Sequence, residues 1–270
     1  MINAIVSYQF MQNALWGALL ASILTGIIGS IIVEKKWLML SSGIAHASFG
    51  GIGLGYMLGF EPIYGAFMFS TFASILVPTI DRKSDTGSEN LTAMLWSFGM
   101  ALGILFIAFT PGYPPDMNSY LFGNILTISK TNLNVMIVVT ALVLTVLLSF
   151  YNIWKAYLFD GEFTFIMGIK TLWMDYILYF LIALSIVALI KLVGIILIMA
   201  LLTIPPSISR FYARSFSRLI LSSMGLGLLF SLTGLWISYY TSIPSGASIV
   251  LISVFAYVLV FLTKKVIFDR

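Results

Sequence analysis

Cysteine is absent from this sequence, which excludes both a disulfide framework and a thiolate metal site. Charge is also scarce: only 9% of the residues are Asp, Glu, Lys or Arg, against about a quarter in an average soluble domain. Hydrophobic residues make up 60% of the chain. These proportions exclude an ordinary soluble protein and predict an integral membrane protein.

The sequence also has little of what catalysis requires. It contains one histidine, no H-E-x-x-H motif, and no phosphate-binding glycine loop with Lys and Ser or Thr. Its polar stretches are too short for a soluble domain, so we expect any energy source to come from another chain. The N-terminal residues lack a basic region followed by a cleavage site, so we expect no removable signal peptide. An intramembrane Ser–His dyad of Ser42 and His46, four residues apart on one helix face, is a minor alternative.

Long apolar segments recur along the chain and predict an all-α polytopic membrane protein with eight or nine spans. A span needs roughly 20 apolar residues. One run is too long for a single span, and we divide it near Lys191–Gly194 into a full helix and a short helix that ends at Pro205–Pro206. The count is eight if the short helix does not cross. The predicted spans form one domain, 1–270, and are 11–33, 37–58, 63–80, 91–110, 131–153, 173–190, 192–208, 219–240 and 248–263.

Positive charges follow alternate spans, which predicts the orientation of the chain. With nine spans and an outside N-terminus, twelve of the fourteen lysines and arginines lie on the cytoplasmic side, as the positive-inside rule expects. Lys130 is then outside, and Lys191 snorkels to the outer interface. The net charge of +4 therefore reflects membrane orientation and does not indicate nucleic-acid binding. The twelve are Lys35, Lys36, Arg82, Lys83, Lys155, Lys170, Arg210, Arg214, Arg218, Lys264, Lys265 and Arg270.

The span 37–58 contains His46, the only histidine of the chain, among glycines, alanines and serines. An ionisable group at membrane depth is a functional-site hypothesis, and imidazole suits transition metals. Small residues let helices approach closely, so this surface is a candidate wall of a pathway. The alternative is a histidine hydrogen-bonded to a backbone carbonyl within helix packing. The predicted pathway residues are Ser42, Gly43, His46, Gly50 and Gly53, with His46 as metal contact and Ser42 as candidate second contact.

Two loops are candidate docking segments. The outer loop 111–130 carries Tyr113, Asp116 and Tyr120 among turn residues, which suits a docking surface; the alternative for its aromatics is an interfacial belt. The inner segment 156–172 predicts a short amphipathic helix that would form a handle for a partner or a surface-lying connector. Asp160 would cap this helix, acid in its first turn would favour it, and Gly168 would end it. The residues assigned to this handle are Asp160, Gly161, Glu162, Phe163 and Gly168.

Five motifs occur in order along nearly the whole chain: SSGIAHASFGG (41–51), YLFGNILTIS (120–129), FDGEFTFIMGI (159–169), VGIILIMALLTIPPSISR (193–210) and the Pro-Ser-Gly turn at 243–246. Together they resemble the membrane permease subunits of zinc/manganese-type metal ABC transporters, the ABC-3 family. The resemblance implies a vitamin B12-importer-like fold in a prokaryotic cytoplasmic membrane. It also implies a homodimer that encloses the path, a cytoplasmic ATPase coupled through 156–172, and an extracytoplasmic metal-binding protein. A divalent metal ion would be the transported substrate, and no cofactor would be bound tightly.

The sequence departs from the family pattern at one position. The family carries an aspartate four residues before the histidine, whereas this chain has Ser42. The change removes a hard anionic ligand and leaves the identity of the metal open. An importer of a chelated metal, such as a siderophore or cobalamin, is therefore an alternative. An ATP-independent channel or carrier is another, although neither convincing internal repeats nor midplane acids support it.

Overall fold

A computed structural model describes residues 8–81, 88–111, 123, 125, 128–241 and 243–268. Over these ranges the chain forms eleven helices and no β-strand, which confirms the predicted all-α class. The helices are α1 (Gln9–Lys35), α2 (Leu38–Leu58), α3 (Pro62–Asp81), α4 (Ser88–Ala108), α5 (Lys130–Ser149), α6 (Tyr151–Phe159), α7 (Gly161–Ile166), α8 (Thr171–Val193), α9 (Ile195–Arg210), α10 (Phe216–Thr241) and α11 (Ser245–Phe268).

Seven helices of the described chain are long and apolar enough to cross a membrane, and each coincides with a predicted span. The predicted spans 37–58 and 192–208 are also helical, as α2 and α9, but neither is among the seven. In α2 the histidine, serines and glycines lower the hydropathy, and α9 has only 16 residues. The seven spans are those within α1, α3, α4, α5, α8, α10 and α11.

The long apolar run breaks where the sequence predicts. α8 ends at Val193, and α9 begins at Ile195. Between them Gly194 has φ 77° and ψ 158°, a backbone conformation that favours glycine because it has no Cβ. The break separates a full-length helix from a shorter one, as expected from the Lys191–Gly194 boundary.

The predicted end of the short helix at Pro205–Pro206 is wrong, since α9 continues through both prolines to Arg210. Proline removes a backbone donor, so the carbonyls one turn earlier lose their usual helical partners. A close neighbour lies at one of these carbonyls: a Cβ placed on Gly29 of α1 would lie 2.4 Å from the Leu202 oxygen. Helices within membranes tolerate proline when neighbouring helices cover the freed groups.

The chain divides into two compact units, of which the first comprises residues 1–33, 118–140 and 192–270. In this unit α1 lies against α9 and α10. The Ser30 and Ser223 hydroxyls are 3.3 Å apart, and Arg210 Nη1 donates to the Val33 carbonyl at 3.2 Å. The arginine thereby satisfies a carbonyl near the end of α1, where cations are favourable. Helices α9, α10 and α11 pack against one another.

The second unit comprises residues 34–117 and 141–191 and contains α2, α3, α4, α6 and α7. Here α2 packs against both α3 and α4. It ends at Gly59, which has φ 74°, and the Phe60 N–H then donates back to the Gly55 carbonyl at 3.0 Å. A left-handed glycine of this kind is a common end for a helix. Both candidate sites that the structure describes, on α2 and around α7, belong to this unit.

Candidate functional site

Helix α2 places Ser42 and His46 one turn apart on the same face, and both side chains are half-buried. The glycines predicted to line a path with them, Gly43, Gly50 and Gly53, are buried. Ser42 and His46 on the one hand and the three glycines on the other therefore have different surroundings within this unit, although the sequence predicted one common surface for them.

The three glycines allow backbones to approach closely inside the second unit. A Cβ added at Gly43 would lie 2.2 Å from Cγ2 of Thr92, and one at Gly53 would lie 2.5 Å from the Gly103 oxygen. At Gly50 the nearest atom, on the Phe69 ring, would lie at 2.8 Å. These positions hold α3 and α4 against α2, as small residues do in membrane helix packing.

His46 lies against an aromatic side chain of α4. Its imidazole is stacked on the indole of Trp96, with ring centroids 4.2 Å apart and ring planes 3° apart. The Nδ1 atom is buried and has no hydrogen-bond partner in the part of the chain that the structure describes. Nδ1 is therefore hydrogen-bonded neither to a backbone carbonyl of a described residue, as in a helix-packing histidine, nor to the Ser42 hydroxyl, as in a Ser–His dyad.

The described residues contain no group of three His, Cys, Asp or Glu side chains close enough to hold a metal ion. A structural metal site needs about four ligands in closed geometry. His46 with one hydroxyl nearby is a much sparser set. Such a set suits transient contact with a passing ion, since conduction requires binding weak enough for release.

The segment 156–172 forms the short helix that the sequence predicts. Asp160 caps α7, since its Oδ1 accepts a hydrogen bond from the Phe163 N–H at 2.9 Å, and Glu162 lies in the first turn. Gly168, two residues past the helix, has φ 82°, and its N–H donates to the Phe165 carbonyl at 2.9 Å. Both ends of the helix therefore follow from local sequence.

Helix α7 buries Thr164 and exposes its large apolar side chains. Thr164 is 0% exposed and donates to the Asp160 carbonyl at 2.8 Å. In contrast, Phe165 is 68% and Ile166 80% exposed. Phe163 and Met167 are exposed as well. An exposed apolar patch of this kind is typical of a contact surface for another protein or for the membrane.

Two residues that sequence reasoning did not assign to the segment, Lys35 and Asp175, anchor it through Tyr157. Lys35 Nζ donates to the Tyr157 carbonyl at 3.0 Å and lies 3.8 Å from the centroid of the Tyr157 ring. The Tyr157 hydroxyl donates to Asp175. Together with Glu162 and Phe165 of α7, among others, these side chains line an open cavity of about 630 Å³. Lys35 and Tyr157 are 122 residues apart, and no local pattern indicates their contact.

The residues predicted to dock an external protein, Tyr113, Asp116 and Tyr120, lie outside the described residues. The docking role of the outer loop therefore stays a prediction.

Comparison with known proteins gives matches over nearly the whole chain. A family model, the ABC 3 transport family, matches residues 7–264. An uncharacterized membrane protein, slr2045 of Synechocystis, is 38% identical over 96% of this chain and 93% of its own length. The manganese import system permease protein ScaB of Streptococcus gordonii is 32% identical over 96% of this chain and 93% of its own.

A solved structure is similar over nearly the same extent. A chain of PsaBC from Streptococcus pneumoniae, in complex with Fab, matches with a TM-score of 0.86 and 30% identity. The match covers 96% of this chain and 94% of that one.

Proposed function

Because the chain belongs to the ABC 3 transport family, with a match over residues 7–264, we propose that it is the permease subunit of an ATP-driven importer of a divalent transition metal ion, manganese or zinc. It is a multi-pass protein of a prokaryotic cytoplasmic membrane. The near-full-length family match carries the proposal. The name of ScaB as a manganese import permease supports manganese as the first cargo to test.

In the proposed transporter, two copies of the chain enclose the path, and α2 and α9 complete a membrane domain of eight or nine spans with a vitamin B12-importer-like fold. Each copy contributes His46, with Ser42 one turn away, so that a twofold axis doubles the sparse ligand set of one chain. The half-buried imidazole with an unpaired Nδ1 supports this role, since a buried nitrogen is usually hydrogen-bonded.

Energy comes from a separate cytoplasmic ATPase, because the sequence has no phosphate-binding loop of its own. The proposed contact with this ATPase is α7, where the capping Asp160, Gly161, Glu162, Phe163 and Gly168 shape the segment. The outward apolar side of α7 supports the assignment, since Phe165 and Ile166 are exposed in the single chain and a protein partner would bury them. The anchor formed by Lys35, Tyr157 and Asp175 would transmit the partner's movement to the rest of this unit.

On the outer side, we assign the loop 111–130, with Tyr113, Asp116 and Tyr120, to docking of a metal-loaded binding protein. The metal is cargo in this scheme and not a resident cofactor. Alternating access then moves the ion inward as the ATPase closes.

The proposal is tested by reconstituting the chain with its ATPase and binding protein in lipid vesicles. We expect ATP-dependent uptake of radiolabelled manganese or zinc, and no uptake when the ATPase carries an inactivating substitution. Metal uptake that persists without ATP would contradict the proposal and indicate a channel or carrier.

A chelated metal is the second candidate substrate, and Ser42 is the observation that favours it. A serine in place of the family aspartate removes an anionic ligand that suits a bare divalent cation. The same vesicles, offered labelled cobalamin and a ferric siderophore, separate the two candidates. Uptake of a chelate with no uptake of free manganese or zinc would favour the second.

A further inference from the structure

The imidazole of His46 lies flat on the indole of Trp96, 4.2 Å from it and within 3° of parallel. Contact between stacked aromatic rings is favourable beyond the area that it buries. The lone pair of an imidazole nitrogen lies in the plane of the ring. The indole therefore restricts the tilt of the imidazole and does not itself cover the in-plane direction of the lone pair.

Nδ1 of His46 makes no hydrogen bond to a described residue that would fix the orientation of the ring. A histidine that ligates a metal almost always donates its other ring N–H to a carboxylate, a carbonyl or water, which sets the ring orientation. In the described part of the chain, Nδ1 of His46 has no such partner. The ring contact that the structure shows for His46 is its stacking on Trp96.

The helices that carry the two rings are held against each other by close contacts at glycines on both sides of the stack. Before it, a Cβ on Gly43 would lie 2.2 Å from Thr92 Cγ2. After it, a Cβ on Gly99 would lie 2.4 Å from the Cα of Ala47. Because α2 and α4 cannot slide without breaking these contacts, the stack moves as part of one rigid helix pair.

We propose that Trp96 is a positioning residue for the metal cargo, which holds the plane of the His46 imidazole so that a ring nitrogen is presented to the passing ion. The inference rests on the proposed function. Trp96 does not itself ligate the ion, because the indole nitrogen is a donor only. Trp96 is 37% exposed and His46 is half-buried, so neither ring is fully enclosed by the described chain.

The first test compares Trp96→Leu, which removes the stacked ring, with Trp96→Phe, which keeps an aromatic face. The matched control is Trp236→Leu, since Trp236 is an exposed indole on α10 that contacts Tyr240. In reconstituted vesicles, we expect the leucine variant to lose about tenfold or more in manganese uptake, as loss of an orienting group at a metal ligand does. The phenylalanine variant should retain most of the uptake, and the control all of it.

The second test measures whether an ion binds beside Trp96 and does not depend on transport. Cobalt(II) serves as the probe, because its absorption quenches the fluorescence of nearby indoles. The part of the quenching that disappears in Trp96→Phe reports an ion beside Trp96. We expect this part to be present in the wild-type chain and absent in His46→Gln, while Trp236→Phe leaves it unchanged.

The outcomes separate the two proposals. Suppose that vesicles with the wild-type chain transport manganese and that vesicles with Trp96→Leu do so at the same rate and with the same preference over zinc. Trp96 then has no positioning role, and the inference is overturned. If the leucine variant fails to accumulate, the quenching decides: no Trp96 component in the wild-type chain overturns the inference. Wild-type vesicles that take up neither metal would overturn the proposed function, and the inference with it.

Discussion

A buried histidine nitrogen is ordinarily hydrogen-bonded, and Nδ1 of His46 is not so bonded to any described residue. The sequence left two interpretations of His46 open, a helix-packing histidine bonded to a carbonyl and a metal contact. In the part of the chain that the structure describes, Nδ1 does not make the hydrogen bond to a backbone carbonyl that the first interpretation requires. An unpaired polar atom at this depth costs free energy, and such a cost at a single residue is a common mark of a functional site.

At this scale we predict that His46→Ala lowers metal uptake by about tenfold or more, since even groups that only support a metal ligand contribute 10- to 100-fold. Membrane abundance should stay close to that of the wild type, because relief of the unpaired nitrogen offsets the lost stacking on Trp96. Vesicle uptake and an immunoblot of the membrane fraction measure the two effects. Tyr64→Phe, on an exposed side chain of α3, is the control. Wild-type uptake by the alanine variant would refute the ligand role.

At the scale of the elements, the glycines of α2 act as packing positions. At Gly53 an added Cβ would lie 2.5 Å from the oxygen and 2.9 Å from the Cα of Gly103, which are backbone atoms that cannot rotate away. These glycines were predicted to line a path, and they are observed to pack against neighbouring helices. Both can hold if the path runs along a different part of the α2 surface from the packed one.

We predict that Gly53→Ala lowers the stability of the purified protein by about 1–3 kcal/mol, as overpacking does, and therefore lowers its Tm in detergent. The control is Gly225→Ala in α10, where an added Cβ has nothing within 4 Å. This control should be neutral or slightly stabilising, because alanine favours helix over glycine. Equal Tm values for the two variants would show that α4 does not approach α2 as closely as described.

The segment around α7 depends on one left-handed glycine. Gly168 has φ 82° and open space around it, so an added methyl group would act only through backbone strain. We predict that Gly168→Ala uncouples ATP hydrolysis from transport, because a strain of about 1–2 kcal/mol would shift the exposed apolar side of α7. The ratio of ions transported to ATP hydrolysed measures the effect.

The control for this variant is Gly59→Ala, which imposes a similar strain at φ 74° with equally open surroundings, at the end of α2. It should leave the transport ratio unchanged. If both variants changed the ratio alike, or neither did, α7 would have no special part in coupling.

For the whole molecule, the proposed homodimer can be tested because the natural chain contains no cysteine. A single introduced cysteine is then the only thiol of each copy. We predict that Ser42→Cys forms a disulfide-linked dimer on mild oxidation in membranes, since two copies of α2 facing across a twofold axis bring equivalent positions together. Bridging requires Cα atoms within about 7 Å.

The matched control is Leu251→Cys on α11, which is exposed in the single chain and is not assigned to the twofold contact. We expect a dimer band on a non-reducing gel for the first variant and none for the control. A band for the control alone would place the contact between copies on another face and remove α2 from the path.

By itself, the sequence determined the features that depend on neighbours along the chain. Apolar runs determined the membrane class and seven spans, glycine determined the helix break at Gly194, and side-chain chemistry determined the Asp160 cap and the Gly168 end of α7. The same local reasoning was wrong at Pro205 and Pro206, because whether a helix tolerates proline depends on what lies beside it.

Only the tertiary structure decided which side chains meet across helices. Trp96 lies on His46, and Tyr157 contacts both Lys35 and Asp175, although nothing in the local sequence indicates these contacts. The physical reason is that helical periodicity defines the faces of one helix but not the neighbour that each face meets. That choice depends on packing of the whole unit, where glycines far apart in sequence allow two backbones to touch.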